Sequence, residues 1–171
     1  MSKEIILNKG YACIVDDEDH RRLSRYRWKV DLRQTGHAYA VRNVRVKGRM
    51  YRTIRMHRDI IGAPDKMQVD HINGNGLDNR RANIRVCTPS QNQWNSMVVT
   101  QNRSRKGVYF HPNGKWVARI QVNKRRIHLG CFSYERDALV AYDRAAKEYF
   151  GEFARLNFPD SARDGRVNAG L

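Results

Sequence analysis

The sequence predicts an α+β protein in two parts, on three observations. A strand, an Asn/Gly-rich loop, a returning strand and a capped helix follow one another from Met67 to Asn95. Three short strands separated by tight turns then precede one long amphipathic helix that ends at Gly151. Between them lies a basic stretch without apolar periodicity, containing Arg103-Ser104-Arg105-Lys106. The expected division is a first domain at residues 1–97, a linker at 98–105, a second domain at 106–159 and a flexible polar tail at 160–171. A chain of 171 residues is long enough to give each part a modest core.

In the first part, Ile5-Ile6-Leu7 and Tyr11 to Val15 are β-prone, and Asp16-Asp17-Glu18-Asp19 opens a short helix. Carboxylates suit the positive end of a helix, so these acids read as capping; they are adjacent rather than converging, which argues against a metal site. Val41 to Val46 and Arg49 to Ile54 alternate apolar with basic residues around Lys47-Gly48, which predicts a hairpin with one packed face. A helix beginning near Met56 stops at Gly62, with Pro64 beyond it. Met67 to His71 and Ile84 to Cys87 are strands on either side of Asn73-Gly74-Asn75-Gly76. Thr88 caps the next helix, Pro89 fits its first position, and Gln91 reaches back to the cap. Asn75 and Asn79 serve turn geometry and loop hydrogen bonds.

In the second part, strands are expected near Gly107 to His111, Lys115 to Val122 and Arg125 to Gly130. Ser133 caps the final helix, in which Ala138, Ala141, Tyr142, Ala145 and Tyr149 recur at helical spacing, widened by Leu139, Ala146 and Phe150. The sheet should therefore pack one face on this helix. Alternation turns Trp116, Ala118, Ile120 and Val122 towards the helix and leaves Lys115, Val117, Arg119 and Gln121 on the other face. Tyr109, His111, Arg126 and His128 join that second face from the neighbouring strands, giving a small sheet that fits a DNA major groove.

Composition narrows the partners. The chain carries 33 Lys and Arg against 17 Asp and Glu, a formal net charge of +16, which implies a polyanion. No apolar run approaches a spanning length and no basic amphipathic helix has a large apolar face, so double-stranded DNA is expected and a membrane is not. Exposed aromatic platforms for single-stranded RNA are lacking. The N-terminus runs straight into a strand without the apolar core of a secretory signal, so a cytoplasmic location is expected. Cys13, Cys87 and Cys131 are too scattered for a disulfide framework and read as small buried apolar residues.

Asp70 and His71 end a strand, Asn83 begins the returning one, and Asn92 lies in the first turn of the capped helix, so three elements converge. An Asp-His pair alone means little. The full segment VDHINGNGLDNRRANIRVCTPSQNQWN resembles the HNH endonuclease family, and with Met56-His57-Arg58 and the N-terminal strands it is similar to the free-standing HNH homing endonucleases of bacteriophages. The resemblance implies a ββα-metal fold from about Met67 to Asn95, with His71 as general base, Asp70 and Asn92 on a divalent ion, and Asn83 orienting the histidine and its loop. Oxygen ligands suit Mg²⁺ or Mn²⁺, and zinc is not expected. His57, at a helix start outside this segment, is expected to support the active site or pack beside it, with a DNA contact or a helix cap as the alternatives.

Lys106 to Pro159 resembles the plant APETALA/ethylene-response-factor DNA-binding domain, through KGVYFHPNGKWVARI, the ending at Cys131-Phe132 and AYDRAAKEYFGEFARLNFP. This implies that Tyr109, His111, Asn113, Arg119, Gln121, Arg126 and His128 face DNA. Arginine or tryptophan stands at several of these positions in the plant family, so its target sequence does not transfer. Lys124 and Arg125 would touch phosphates. The expected activity is metal-dependent hydrolysis of DNA, by nicking or double-strand cleavage, at sites that the second domain selects, with a monomer fitting a single site and a dimer left open. The alternative is a sequence-specific DNA-binding regulator without catalysis.

Overall fold

The computed structural model describes residues 1–96 and 105–158, and the chain divides into two compact units, Met1–Asn95 and Ser96–Leu171. The expected linker, apart from Arg105, and the expected tail lie outside the described residues.

In the first unit, β1 (Ser2–Ile6) pairs antiparallel with β2 (Ala12–Asp16), followed by α1 (Asp17–Leu23). The strands β3 (Lys29–Leu32), β4 (Ala38–Lys47) and β5 (Met50–Arg55) form a three-stranded antiparallel sheet, and α2 (Met56–Ile61) ends at Gly62 with φ 62°. Then β6 (Gln68–His71) pairs antiparallel with β7 (Ile84–Cys87), and α3 (Pro89–Asn95) follows. Leu7, Cys13, Val15, Leu23, Trp28, Ala40, Met56 and Ile84 form the core. Thr88 and Gln91 cap α3 reciprocally, the Thr88 N–H donating to Gln91 Oε1 at 2.8 Å and the Gln91 N–H to Thr88 Oγ1 at 3.3 Å. β3 has no counterpart in the sequence reading: Lys29-Val30-Asp31-Leu32 alternates over only four residues, too short a run to stand out, and the strand is fixed by pairing with β4 and by the Val30 N–H donating to Asn8 Oδ1 at 2.8 Å.

The acids of α1 do other work than capping. Asp16 occupies the cap position without a side-chain cap hydrogen bond. Its Oδ2 accepts the Arg81 N–H at 2.7 Å, while buried Asp19 accepts Arg81 Nε at 2.7 Å and Nη2 at 3.0 Å. A bidentate guanidinium–carboxylate pair thus ties α1 to the chain entering β7, across 62 residues. Asp19→Asn is expected to lower the stability of this unit by about 1.5–3 kcal/mol, the worth of hydrogen bonds to a charged group. Urea unfolding followed by tryptophan fluorescence would measure it, and no change would show the pair to be ornamental.

The loop after β6 is docked on the same frame. The Ile14 N–H donates to Leu77 O at 2.9 Å and the Asn79 N–H to Ile14 O at 2.8 Å. Gly76 is required by close approach, since a Cβ there would overlap Ala38 O and lie 2.7 Å from the Tyr39 ring.

In the second unit, β8 (Val108–His111), β9 (Lys115–Val122) and β10 (Arg125–Phe132) form an antiparallel sheet in the order β10-β9-β8, covered by α4 (Glu135–Phe150). Ala138, Leu139, Tyr142, Ala145, Ala146 and Phe150 are buried, as are Val108, Ala118 and Ile120. Tyr149 is 43% exposed, so the helical stripe is narrower than its spacing suggested. Asn157 closes the unit: its Oδ1 accepts the Lys106 N–H at 2.8 Å, and its own N–H donates to buried Asp143 at 2.8 Å.

Three expectations are corrected here. Ser133 does not cap α4, whose cap position is Tyr134; Ser133 Oγ instead lies 3.3 Å from Lys115 Nζ. Val117, placed by alternation on the polar face, is buried, with Tyr109 and Cys131 beside it in register. Cys13 and Cys87 are buried as expected, but Cys131 is exposed, because the irregularity between His128 and Gly130 resets the alternation of β10.

Candidate active site and nucleic-acid interface

Asp70 and His71 are both buried at the end of β6, beside the loop that leads back to β7. Adjacent strand residues point to opposite faces, and the two side chains accordingly have different partners. Asp70 Oδ2 accepts Arg85 Nε at 3.0 Å and Nη2 at 2.8 Å from the facing position on β7. Asn95 Nδ2 lies 2.9 Å from Asp70 Oδ1 and 3.0 Å from Oδ2, and also donates to His71 O at 3.0 Å. Arg85 and Asn95 are site residues that the motif reading left out. The register of Arg85 opposite Asp70 was available from the two strands; Asn95, one helical turn after Asn92, was available from helical spacing.

His71 Nε2 lies 3.2 Å from Oδ1 of Asn79, which is fully buried. With the Asn79 oxygen against it, Nε2 is assigned the proton and Nδ1 the lone pair, an arrangement that leaves the buried Asn79 Nδ2 without a partner among the described residues. The amide on the imidazole is therefore that of Asn79, and Asn83 acts elsewhere. Asn83 Nδ2 donates to Asn73 Oδ1 at 3.0 Å and Asp78 O at 2.7 Å, and its Oδ1 accepts the Asn73 N–H at 3.0 Å. Asn83 thus clasps the loop, while Asn79 holds the histidine. Burial pulls the His71 pKa below its ordinary value, against the opposing effects of the Asn79 bond and the Asp70 and Asp78 charges.

His57, on the first turn of α2, is buried with its ring centroid 4.9 Å from that of His71 at an interplanar angle of 89°. Tyr39 packs against both rings, at 5.6 Å from His57 and 6.0 Å from His71. Asn92 on α3 is half-buried and donates from Nδ2 to Gln68 Oε1 at 2.7 Å, and its own Oδ1 has no hydrogen-bond partner among the described residues. Tyr39, Arg55, His57, Gln68 and Asn92 line one cleft.

Among the described residues, Asp70 Oδ2 accepts from Arg85 and Asn95, whereas Oδ1 accepts from Asn95 alone and keeps acceptor capacity. Asn92 offers a second oxygen. One carboxylate and one amide oxygen fit Mg²⁺ or Mn²⁺, which complete their shells with water and substrate phosphate. Among the described residues no cluster of three or more His, Cys, Asp and Glu side chains could hold a metal.

On the second unit, Arg119 and Gln121 of β9 face His128 and Arg126 of β10 in register. Tyr109 pairs with Val117 two positions from Arg119, whose guanidinium lies 4.7 Å from the Tyr109 ring centroid. These five side chains share one face. His111 is exposed at the end of β8, and its Nδ1 accepts the Asn113 N–H at 3.3 Å. Asn113 Oδ1 accepts the Lys115 N–H at 3.2 Å, so this side chain shapes the turn. Trp116, half-buried, packs edge-on against exposed Phe110 at 5.1 Å.

Comparison with known proteins agrees with this division of features. Residues 62–94 match the family model described as HNH endonuclease. An uncharacterized HNH endonuclease of Acanthamoeba polyphaga mimivirus is 33% identical over 94 residues, 55% of this chain and 49% of that protein. Over the C-terminal region the chain is similar to Dehydration-responsive element-binding protein 2D of Arabidopsis thaliana, 47% identical over 60 residues, 34% of this chain and 29% of that protein. An AP2/ERF and B3 domain-containing protein of Oryza sativa subsp. japonica is 46% identical over 66 residues, 38% of this chain and 18% of that protein. The chain thus spans half or less of the length of each of these relatives. No helix among the described residues is long and apolar enough to cross a membrane.

Proposed function

With an HNH endonuclease match at residues 62–94 and an AP2/ERF-like C-terminal region as premise, we propose that the protein is a metal-dependent DNA endonuclease whose second unit selects the site. The observation that carries this reading is the His71 imidazole: neutral, pinned through Nε2 by Asn79, with its Nδ1 lone pair free to take the proton of a water that attacks a phosphodiester. A structural DNA clamp needs positive charge but no such base. Asp70 and Asn92 would hold the divalent ion, which when bound supplies charge stabilisation at the scissile phosphate and its leaving oxygen. Asn83 and Asn95 fix the loop and strand end that carry the pair. The sheet face of Tyr109, Arg119, Gln121, Arg126 and His128 meets the major groove.

The test is incubation with supercoiled plasmid in Mg²⁺ or Mn²⁺ and in chelator. Conversion to open-circular or linear DNA only with the ion is the expected result. Binding without conversion in either ion would leave the regulator reading in its place. Replacing Arg119, Gln121 and Arg126 together by alanine is expected to flatten the distribution of cut sites while lowering the turnover of bound DNA less than threefold, a limit of about 0.6 kcal/mol on the barrier. Mapping cut positions on a long duplex reads this directly, and an unchanged pattern would refute the division of labour.

A further inference from the structure

His57 poses a question that packing does not answer. It is 5% exposed, and its Nδ1 has no hydrogen-bond partner. Leaving a buried polar atom unpaired is costly, and phenylalanine would fill the same edge-on place against His71 without that cost. Burial first, then the neighbouring charges of His71, Arg55 and Arg58, hold the His57 pKa down to about 3, so near neutral pH the ring is uncharged, with one N–H to donate.

The cleft around it is rich in other donors. Arg55, exposed at the end of β5, has no ion-pair partner among the described residues. Tyr39 brings a hydroxyl, and Arg33, half-exposed and paired with Asp31 at 2.9 Å, also lines the cleft. No carboxylate lines the cleft. The Gln68–Asn92 pair also lines it, so whatever the cleft holds lies beside a residue of the proposed cutting centre. Spare donors, a fixed positive charge and no acidic wall describe a site for an anion that accepts hydrogen bonds.

We infer that this cleft is a phosphate subsite, which receives a backbone phosphodiester flanking the cut, with Arg55 supplying the charge and His57 donating a hydrogen bond to a non-bridging oxygen from Nε2, since Nδ1 is closed to solvent. The inference rests on the endonuclease reading and adds a binding contact to it. Its role is to fix the register of the cut strand, so it acts on binding before any bond is broken.

The experiment walks a single methylphosphonate, which removes one phosphate charge, across a labelled duplex that the protein binds. Affinity is measured in chelator for wild type, Arg55→Ala and His57→Phe. Wild type is expected to lose roughly tenfold at one position, as for a phosphate contact worth a charge-assisted hydrogen bond. Arg55→Ala should lose a similar factor on the unmodified duplex, lose nothing further at that position, and show a salt dependence shallower by about one phosphate contact. His57→Phe should be less sensitive than wild type at the same position; its thermal unfolding controls for folding, and exposed Arg55 supplies the second variant. Independent, additive losses for both variants at every position would overturn the subsite. Normal cleavage without coupling would sink the cleft alone, whereas coupling without cleavage in any metal would sink the endonuclease reading and leave the cleft standing.

Discussion

Replacing His71 by alanine lowers plasmid cleavage by about 10²–10⁴-fold, the usual worth of a positioned general base, and leaves DNA binding in chelator within twofold of wild type, about 0.4 kcal/mol. The size follows from how the ring is held: Nε2 is tied to Asn79, and the packed rings of His57 and Tyr39 fix its plane, so no other side chain can stand in. The pH dependence has a definite sign. Burial holds the His71 pKa below its ordinary 6.5, so the base form persists at mildly acidic pH, and the acidic limb of the rate profile lies below that value. The same shift makes the unfolded chain take up a proton that the folded one refuses, so His71 costs stability as pH falls below 6.5. Asn79→Asp puts a carboxylate against Nε2, which favours the imidazolium, raises the pKa and moves the acidic limb to higher pH. Cleavage by His71→Ala within threefold of wild type, or an unmoved limb in Asn79→Asp, would remove the base assignment.

How far these residues were legible depended on whether their partners were local. The Thr88-Pro89-Gln91 start of α3 and the stop of α2 at Gly62 follow from chemistry within four residues, and the fold repeats them. The pairing of Asp19 with Arg81 spans 62 residues, so four adjacent acids at a helix start looked like capping when three of them, Asp16, Glu18 and Asp19, bind the chain entering β7. The loop is rich in asparagine, and composition alone cannot say which amide reaches the imidazole. Asn79 does so because its backbone is bonded to Ile14 of β2, a contact that no local pattern contains. Cys131 changed face for a similar reason, since one irregularity in β10 shifts every side chain after it, whereas Val117 keeps its face and is buried there between Tyr109 and Cys131. The paired use of Asp70 was hidden in the facing strand, where Arg85 occupies the register position that turns a metal-ligand candidate into half of an ion pair.

That pair sets the second large effect. Arg85 and Asp70 are 13% and 6% exposed in their side chains, with Nη2 and Oδ2 2.8 Å apart. Arg85→Ala leaves a buried carboxylate with only the Asn95 amide, and stranding one member of a buried pair costs about 3–5 kcal/mol. At roughly 4 °C per kcal/mol, the unfolding midpoint of the first unit falls by about 12 °C or more. The remedy distinguishes electrostatics from lost packing: Asp70→Asn combined with Arg85→Met removes both charges at similar volume and should restore more than half of the stability while cleavage stays abolished. A divalent ion supplies the missing positive charge in another way, so Mg²⁺ or Mn²⁺ should raise the midpoint of Arg85→Ala more than that of wild type, by mass action on the folded state. An Arg85→Ala midpoint within 1 °C of wild type would mean that solvent already screens the pair. A full loss with no response to either ion would mean that Asp70 is a structural anion, and the ion would then have to be held without it.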